Sequence, residues 1–377
     1  MSALLDAIAR KLDAGERLSF DDGVALFREP NLAALGALAN RERERRHGDR
    51  TYFNVNMHLN ATNVCVADCK FCSFARLEEG QPGAYTMTLD EALDRVRARP
   101  ADLTEIHIVN GLHPGLPWSY YVDLLRALKA LRPSVHLKAF TAVEIHWFAE
   151  HYRMSWSDVL AELVAAGLGS LPGGGAEIFA ARVRRKICRD KVDADGWLAI
   201  HQLAHRMGLR SNCTMLYGHI ETIEERVDHL LRLRAAQDET RGFQTFIPLA
   251  FHNEHNALEK LPSPTGCDDL RVFAVSRLLL DNIPHVKAYW AMLGVKTAQI
   301  AQWFGADDLD GTVEEEKIYK MAGSRAPDAL TRRELVRLIR AAGRAPVERD
   351  TLYHVLAEGA ALDDKCGKSP HRLEVVA

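Results

Sequence analysis

Hydrophobic and polar positions follow a helical spacing in the first part of the chain. Leu5, Ile8 and Leu12 recur every three or four residues, so they fall on one face of a helix. Ser19 and Asn31 each precede a further amphipathic stretch, and both residue types favour the start of a helix. We therefore predict a helical extension over residues 1–50.

The pattern changes at about Tyr52, where short apolar runs begin to alternate with amphipathic segments. This alternation predicts βα units around a parallel sheet. The expected strands are Phe53–Leu59, Glu105–Asn110, Val135–Thr141, Gly169–Leu171, Ser211–Leu216, Phe243–Ala250, His285–Met292 and a weak one at Asp308–Thr312. Up to eight strands alternating with helices predict a (β/α)8 barrel of the TIM type over residues 51–315. A doubly wound open sheet is the competing topology.

The strand pattern ends after Glu315. Thr331 and Glu334 form a capping box, which predicts a helix that ends at Gly343, and a second short helix is expected over Thr351–Glu358. The last dozen residues are polar and are expected to fray. Residues 316–377 are therefore predicted to be a helical segment with a tail.

Composition limits the partners of the protein. Its 377 residues carry a formal net charge of -3, and positive and negative residues are mixed along the chain. This pattern has no basic cluster of the kind that binds nucleic acid. No apolar run is long enough to span a membrane, and charges at Asp6 and Arg10 interrupt the start too early for a signal peptide. The seven cysteines are an odd number without a disulfide pattern. We expect a cytoplasmic protein with neither membrane nor nucleic acid as a partner.

Three of the cysteines cluster in one polar stretch, Asn60–Cys72. Cys65, Cys69 and Cys72 have the spacing Cys-x3-Cys-x2-Cys, and their neighbours are too polar for a core position. Soft thiolates select zinc, copper(I) or iron–sulfur clusters. Structural zinc and ferredoxin clusters take four protein ligands, whereas the local count here is three. The spacing therefore favours a four-iron cluster with one iron open, or else zinc with a distant histidine as the fourth ligand.

This spacing, with the aromatic Phe71 directly before the last cysteine, resembles the signature of the radical S-adenosylmethionine (SAM) superfamily. The resemblance implies a [4Fe-4S] cluster on Cys65, Cys69 and Cys72, whose open iron chelates the amino and carboxylate groups of SAM. It also implies SAM as a co-substrate, Phe71 as one of its contacts, and an electron donor that the sequence does not identify. A zinc or electron-transfer protein is the alternative from a different class.

Polar or glycine-rich residues follow several predicted strands, at the end where parallel barrels carry their active sites. The superfamily resemblance implies that Gly111 lets the backbone approach SAM and that Glu144 accepts hydrogen bonds from the SAM ribose. His219 and Glu221 are candidates for contacts with SAM or the substrate. An ordinary turn at Gly111 and helix capping by Glu144 and Glu221 are the structural alternatives. Side chains alternate between the two faces of the fifth strand, so one of two sets faces the barrel interior. The sets are Asn212, Thr214 and Leu216, or Cys213, Met215 and Tyr217.

Longer sequence motifs resemble particular branches of the superfamily. The chain is similar to the menaquinone-pathway radical SAM enzymes of the futalosine route in His58–Cys65, Gly111–Pro114, Leu171–Glu177, Met215–Thr222 and Asp307–Thr312. The strings Pro248–His252, Lys287–Trp290 and Asp310–Glu315 resemble the aminodeoxyfutalosine synthase branch. The sister branches, cyclic dehypoxanthine futalosine synthase and the deazaflavin-forming synthase subunit, are the alternatives within the superfamily.

The resemblance to that branch implies a transferase reaction. The 5′-deoxyadenosyl radical from SAM adds to the vinyl carbon of 3-[(1-carboxyvinyl)oxy]benzoate, and aryl migration and loss of a carboxyl group give 6-amino-6-deoxyfutalosine. The substrate is a dicarboxylate, so its site needs cations or hydrogen-bond donors. The expected substrate-binding residues are Asn60, Thr62, Asn212, His252 and Lys287, although Lys287 also fits an exposed strand edge. No protein acid or base is assigned.

Overall fold

The fold is that of a computed structural model, which describes residues 2–366. The helices are α1 (Ala3–Asp13), α2 (Phe20–Arg28), α3 (Leu32–His47), α4 (Leu89–Arg97), α5 (Trp118–Leu131), α6 (Ala142–Tyr152), α7 (Trp156–Ala165), α8 (Ala181–Ile187), α9 (Ala194–Arg206), α10 (Ile223–Thr240), α11 (Gly266–Leu279), α12 (Trp290–Leu293), α13 (Val295–Ala301), α14 (Ile318–Met321), α15 (Arg332–Ala341) and α16 (Gly359–Cys366). The strands are β1 (Arg50–Asn54), β2 (Asn56–Leu59), β3 (Glu105–Ile108), β4 (His136–Ala139), β5 (Leu168–Leu171), β6 (Arg210–Tyr217), β7 (Phe243–Ala250), β8 (His285–Val286), β9 (Asp308–Gly311), β10 (Ala345–Arg349) and β11 (Val355–Glu358). The predicted tail beyond residue 366 lies outside the described residues.

The main sheet confirms the predicted parallel barrel. Strands β2 to β8 are parallel neighbours in chain order, with at least one helix between each consecutive pair. Apolar residues such as Ile106 and Leu137 face the helices and form the core, so the alternate residues face the interior of the barrel. This order in one sheet contradicts the doubly wound alternative, in which the strand order reverses.

The predicted eighth strand is present as β9 but belongs to a second sheet. That sheet has the order β11-β10-β1-β9 and lies where the main sheet fails to close. Single pairs, Lys287 with Asp308 and Met57 with Glu314, connect the β9 region to both edges of the main sheet. The barrel among the described residues is therefore a seven-stranded curved sheet, and the eighth strand only bridges its gap.

The C-terminal segment differs from the prediction. The expected helix over 351–358 is wrong, because Val355–Glu358 forms β11 and pairs antiparallel with β10. Strand β10 pairs parallel with β1 on one side, and its other edge has unpaired backbone N–H and C=O groups. Hydrogen bonds to this edge stabilise residues 355–358 as a strand more than local propensity stabilises them as a helix. The predicted strand Phe53–Leu59 is also two strands, β1 and β2, in different sheets. The predicted helix before Gly343 is present as α15, and β10 and β11 are two strands of the second sheet.

The helices predicted within residues 1–50 are confirmed as α1, α2 and α3. The buried Arg43 of α3 donates to the carbonyl of Gly48 and, over 2.8 Å, to the hydroxyl of Thr51, which joins the helix to β1. No helix within residues 2–366 is long and apolar enough to cross a membrane.

Candidate active site

A cavity of about 270 Å³ lies at the carboxyl end of the main sheet. Residues at or after the ends of several strands line it, among them Asn60, Asn110, Thr141, Pro172 and Phe251. Cys65, Cys69 and Cys72 line the same cavity. The strand ends that carry polar residues in the sequence therefore meet the cysteine loop, as expected for a parallel barrel.

Polar residues of the cysteine loop hold its shape. Asn63 donates from Nδ2 to the carbonyl of Gly83 (2.9 Å) and accepts at Oδ1 from the backbone N–H of Tyr85 (2.8 Å). Thr62 donates from its hydroxyl to the carbonyl of Tyr85 (3.0 Å) and is fully buried behind the loop. Thr62, a predicted substrate contact, therefore lies outside the cavity lining and supports the loop.

Buried charge surrounds the thiols. Burial raises the pKa of the Cys65 and Cys69 thiols, so metal binding must displace their protons. The ammonium group of Lys191 opposes this effect at Cys69. Lys191 is held 2.7 Å from the Glu177 carboxylate and 5.1 Å from the ring centre of Phe71. The loop thus has a cation in place to stabilise thiolate charge.

The arrangement of sulfur atoms tests which metal centre fits. In the described part of the chain, the group of three ligand atoms within 4.8 Å of one another is His47, His285 and Asp307, at the amino end of the strands and not at the cysteines. The three cysteine sulfurs therefore do not all lie within 4.8 Å of one another. Thiolates around one zinc ion are only about 3.8 Å apart. Cys188 is buried near Cys69 but does not line the cavity. Three soft ligands spread along one cavity wall fit a cluster of several metal atoms with one position open.

Gly111 permits a close approach of two segments. A Cβ atom at this position would lie 2.2 Å from the carbonyl oxygen of Val64, inside the cysteine loop. Its N–H donates to the carbonyl of Thr62 (2.9 Å), and the neighbouring Asn110 accepts at Oδ1 from the N–H of Ala61 (2.7 Å). The turn after β3 is therefore fastened to the loop. Asn110 Nδ2 is buried in the cavity wall without a partner.

Glu144 caps a helix and also lines the cavity. It caps α6 by accepting from the N–H of Thr141 (2.7 Å), and its other oxygen accepts from the N–H of Asn110 (2.9 Å). Burial raises the pKa of Glu144 to about 7, and the side chain lines the cavity. The capping alternative is thus observed, and the predicted contact with the SAM ribose is compatible with it.

His219 and Glu221 lie outside the cavity lining. Glu221 accepts from the N–H groups of Gly218 (2.6 Å) and His219 (2.9 Å) and from the guanidinium of Arg226 (2.7 Å). Burial opposes ionisation, but His219 and Arg226 lower the pKa of Glu221 to about 2. The pair therefore stabilises the turn before α10, which is the structural alternative. Their contact with a ligand stays an untested prediction.

Three of the predicted substrate residues line the cavity: Asn60, Asn212 and His252. Asn212 shares its strand face with Thr214 and Leu216, so this set and not Cys213, Met215 and Tyr217 faces inward. Burial lowers the pKa of His252, and its Nε2 lies 3.0 Å from the carbonyl of Met292. Lys287 is buried 3.2 Å from Asp310 and does not line the cavity, so the exposed-edge alternative is wrong.

Several cavity residues have no role in the sequence prediction. They are His58, His107, Lys191, Tyr289, Glu316 and Tyr319. His58 and His107 lie within buried strands that alternate polar and apolar residues, on the face opposite the core residues. A polar residue at alternate positions of a buried strand was the available signal for these two. Lys191 follows α8 in a surface-like sequence, and nothing local distinguishes it.

Comparison with known proteins agrees with this geometry. Residues 59–233 match the family model of the radical SAM superfamily, and residues 240–361 match the CofH/MqnC C-terminal region. The solved structure of methylornithine synthase superimposes on this chain with a TM-score of 0.71, over 90% of this chain and 97% of that protein. The two sequences are 17% identical, so this likeness shows a shared fold alone.

Full-length relatives are closer in sequence. The chain is 53% identical to aminodeoxyfutalosine synthase of Thermus thermophilus over 92% of this chain and 94% of that protein. It is 51% identical to aminodeoxyfutalosine synthase of Streptomyces coelicolor over 98% of each. Identity falls to 41%, over 81% of this chain and 84% of the relative, for 5-amino-6-(D-ribitylamino)uracil–L-tyrosine 4-hydroxyphenyl transferase of Methanopyrus kandleri. The chain belongs to the radical SAM superfamily and, within it, to the aminodeoxyfutalosine synthases.

Proposed function

We propose that this chain joins the adenosyl group of SAM to 3-[(1-carboxyvinyl)oxy]benzoate and forms 6-amino-6-deoxyfutalosine and methionine. The observation that carries the proposal is a three-cysteine loop that lines the cavity at the strand ends, in a chain 53% identical to an aminodeoxyfutalosine synthase. The 5′-deoxyadenosyl radical adds to the vinyl carbon, and the aryl group migrates from oxygen to carbon. The carboxyl group then leaves as CO2 or bicarbonate with release of one electron, which balances the electron that cleaves SAM. The product belongs to the futalosine route to menaquinone.

Cys65, Cys69 and Cys72 would hold a [4Fe-4S] cluster, which supplies the electron that cleaves SAM and an open iron for its amino and carboxylate groups. Lys191 favours the thiolate form of Cys69, and Glu177 fixes the position of Lys191. Apolar residues such as Leu216, Ile247 and Leu249 share the cavity wall and limit the access of water to the radical.

SAM would lie between the cysteine loop and the ends of β3 to β5. Phe71 lines this part of the cavity, and Gly111 lets the turn after β3 approach the loop. Asn110 Nδ2 offers a free donor, and the Glu144 carboxylate offers an acceptor for ribose hydroxyls. Because the pKa of Glu144 is about 7, its carboxyl group can accept or donate a hydrogen bond near neutral pH.

Asn60, Asn212 and His252 would contact the second substrate on the cavity wall. Residues 1–50 and 316–366 flank the barrel spanning 51–315 and extend it. An oxygen-sensitive cluster suits the reducing cytoplasm, where an electron donor of unidentified type would serve it.

Anaerobic assays with two substrate sets test the proposal. Reconstituted protein, reductant and SAM should convert 3-[(1-carboxyvinyl)oxy]benzoate to an adenosyl adduct. Tyrosine with 5-amino-6-(D-ribitylamino)uracil, the substrate pair named for the 41% identical relative, should give no condensed product. Formation of the tyrosine-derived product alone would overturn the proposal in favour of the sister branch.

A further inference from the structure

Three rings form the floor of the cavity, below the strand-end residues. His58 on β2 and His107 on β3 are paired in register, and their ring centres are 4.6 Å apart. On the other side of His58 lies Tyr289, with its ring 6.0 Å away and nearly parallel at 9°. All three side chains line the cavity. His58 is in β2, two residues before Asn60, which directly follows the strand, so the floor is roughly 6–7 Å deeper than Asn60.

Two polar atoms of this floor have no partner within the protein. They are Nε2 of His58 and the hydroxyl of Tyr289, and both are fully buried. His58 and Tyr289 are 7% and 6% exposed, so bulk water does not compensate for the missing hydrogen bonds. Buried polar groups in folded proteins are almost always paired, so such atoms in a cavity indicate a ligand. Both atoms are able to donate to an oxygen of that ligand.

The charges beneath the floor form ion pairs, so they do not repel an anion. Lys138 and Lys287 are buried under it, where Glu105 lies 2.6 Å from Lys138 and Asp310 lies 3.2 Å from Lys287. These two ion pairs leave the layer without excess negative charge. Burial lowers the pKa of His58 to about 4, so the ring is neutral near pH 7 and donates a hydrogen bond in its Nε2–H tautomer. Asp310 also lines the cavity, but Asn56 (3.0 Å) and Lys287 hold its Oδ1 atom.

We propose that His58 and Tyr289 bind the ring carboxylate of the benzoate substrate. This inference rests on the proposed function, because that reaction fixes the orientation of the substrate. The vinyl carbon must meet the carbon of SAM that is released next to the cysteine loop. The ring carboxylate is the end of the molecule farthest from the vinyl carbon, so it reaches the floor. The parallel rings beside it provide an apolar, aromatic surface for the benzoate ring.

Calorimetric titration of the unreduced, reconstituted protein with SAM present isolates binding from turnover. The probes are 3-[(1-carboxyvinyl)oxy]benzoate and 2-phenoxyacrylate, which lacks only the ring carboxylate. The native protein should bind the first probe roughly 10- to 100-fold more tightly, as expected for hydrogen bonds to a charged group. Tyr289→Phe should lose about tenfold affinity for the benzoate, keep its affinity for 2-phenoxyacrylate and keep its affinity for SAM.

A second variant and a matched control complete the test. His58→Gln should show the same selective loss as Tyr289→Phe. Tyr121→Phe removes an equally buried hydroxyl from the helix layer, outside the cavity lining, and should bind both probes as the native protein does. Equal affinity of the native protein for the two probes, or variants that weaken both probes equally, would overturn the inference. If the native protein still formed the adenosyl adduct in that case, the proposed function would stand. Selective benzoate binding without an adduct would instead support the carboxylate site and overturn the proposed reaction.

Discussion

Two buried polar clusters at opposite ends of this barrel differ in how their atoms are paired. At the amino end, the buried carboxylate of Asp307 has partners on both oxygens: Arg277 and the N–H of Val286 (2.8 Å) on one, His285 (2.5 Å) on the other. In the cavity at the carboxyl end, polar atoms of Asn110, His58 and Tyr289 are buried without partners.

This difference separates stability from function. Partners supplied by the protein itself leave nothing for a ligand to satisfy, so the Asp307 cluster reads as a structural connection between α11, β8 and β9. His47 supports this interpretation, because its Nε2 lies 3.0 Å from the carbonyl of Pro284 and is occupied by that bond. Unpaired atoms beside three cysteines indicate a place prepared for ligands.

The largest expected effect is at the cysteine loop. Cys69→Ser should lower adduct formation by more than roughly 100-fold and reduce bound iron and sulfide, because it removes a ligand of the cluster. Cys267→Ser changes an exposed cysteine outside the cavity and serves as the control, with native iron content and activity. Iron and sulfide analysis of the anaerobically reconstituted proteins provides the measurement. Full iron content in Cys69→Ser would contradict the assignment of the loop.

A large stability effect is expected at the amino end. Asp307→Asn should lower the free energy of unfolding by about 3–5 kcal/mol, because it leaves the buried Arg277 without its counter-charge. The exposed pair Arg17–Asp238 is the matched control, and Asp238→Asn should cost less than about 1 kcal/mol. Urea unfolding measures both. The folded Asp307→Asn protein should bind SAM with native affinity. A loss of SAM affinity without a change in stability would contradict the structural role of this cluster.

The smallest effect sharpens the comparison through pH. Burial raises the pKa of Glu144 from 4.5 to about 7, so its contribution to stability is complete below pH 4.5 and is lost as the pH rises to 7. Native protein should therefore lose on the order of 2 kcal/mol of unfolding free energy relative to Glu144→Gln between pH 4.5 and 7. Urea unfolding at several pH values measures this difference.

Glu221→Gln is the control for that series. The pKa of Glu221 is lowered to about 2, so its contribution is present above pH 4.5 and is lost only as the pH falls toward 2. This variant should keep the native slope of stability between pH 4.5 and 7. Identical slopes for the native protein and Glu144→Gln would show that Glu144 ionises normally.

The sequence was sufficient where function depends on neighbouring residues. The cysteine spacing, the turn at Gly111 and the capping box of Glu144 are local features, and the structure places all three on one cavity. Helices and strands with strong periodicity were predicted for the same reason. The assignment to one branch of the superfamily came from resemblance and is supported by the full-length relatives.

The rest depended on distant contacts. Strand β11 exists because β10 offers it an edge, which residues 351–358 do not encode by themselves. Thr62 and Lys287 looked like ligand contacts because they are polar near strand ends, but their partners Tyr85 and Asp310 lie far along the chain. The floor at His58 and Tyr289 needs both the strand direction and the register of β2 against β3.

One labelling experiment tests the central claim that this cavity transfers the adenosyl group. SAM with 13C at C5′ is incubated anaerobically with the reduced protein and 3-[(1-carboxyvinyl)oxy]benzoate, and the products are separated and examined by mass spectrometry and NMR. The account predicts that the label appears in 6-amino-6-deoxyfutalosine, bonded to the former vinyl carbon. Label found only in free 5′-deoxyadenosine would contradict it.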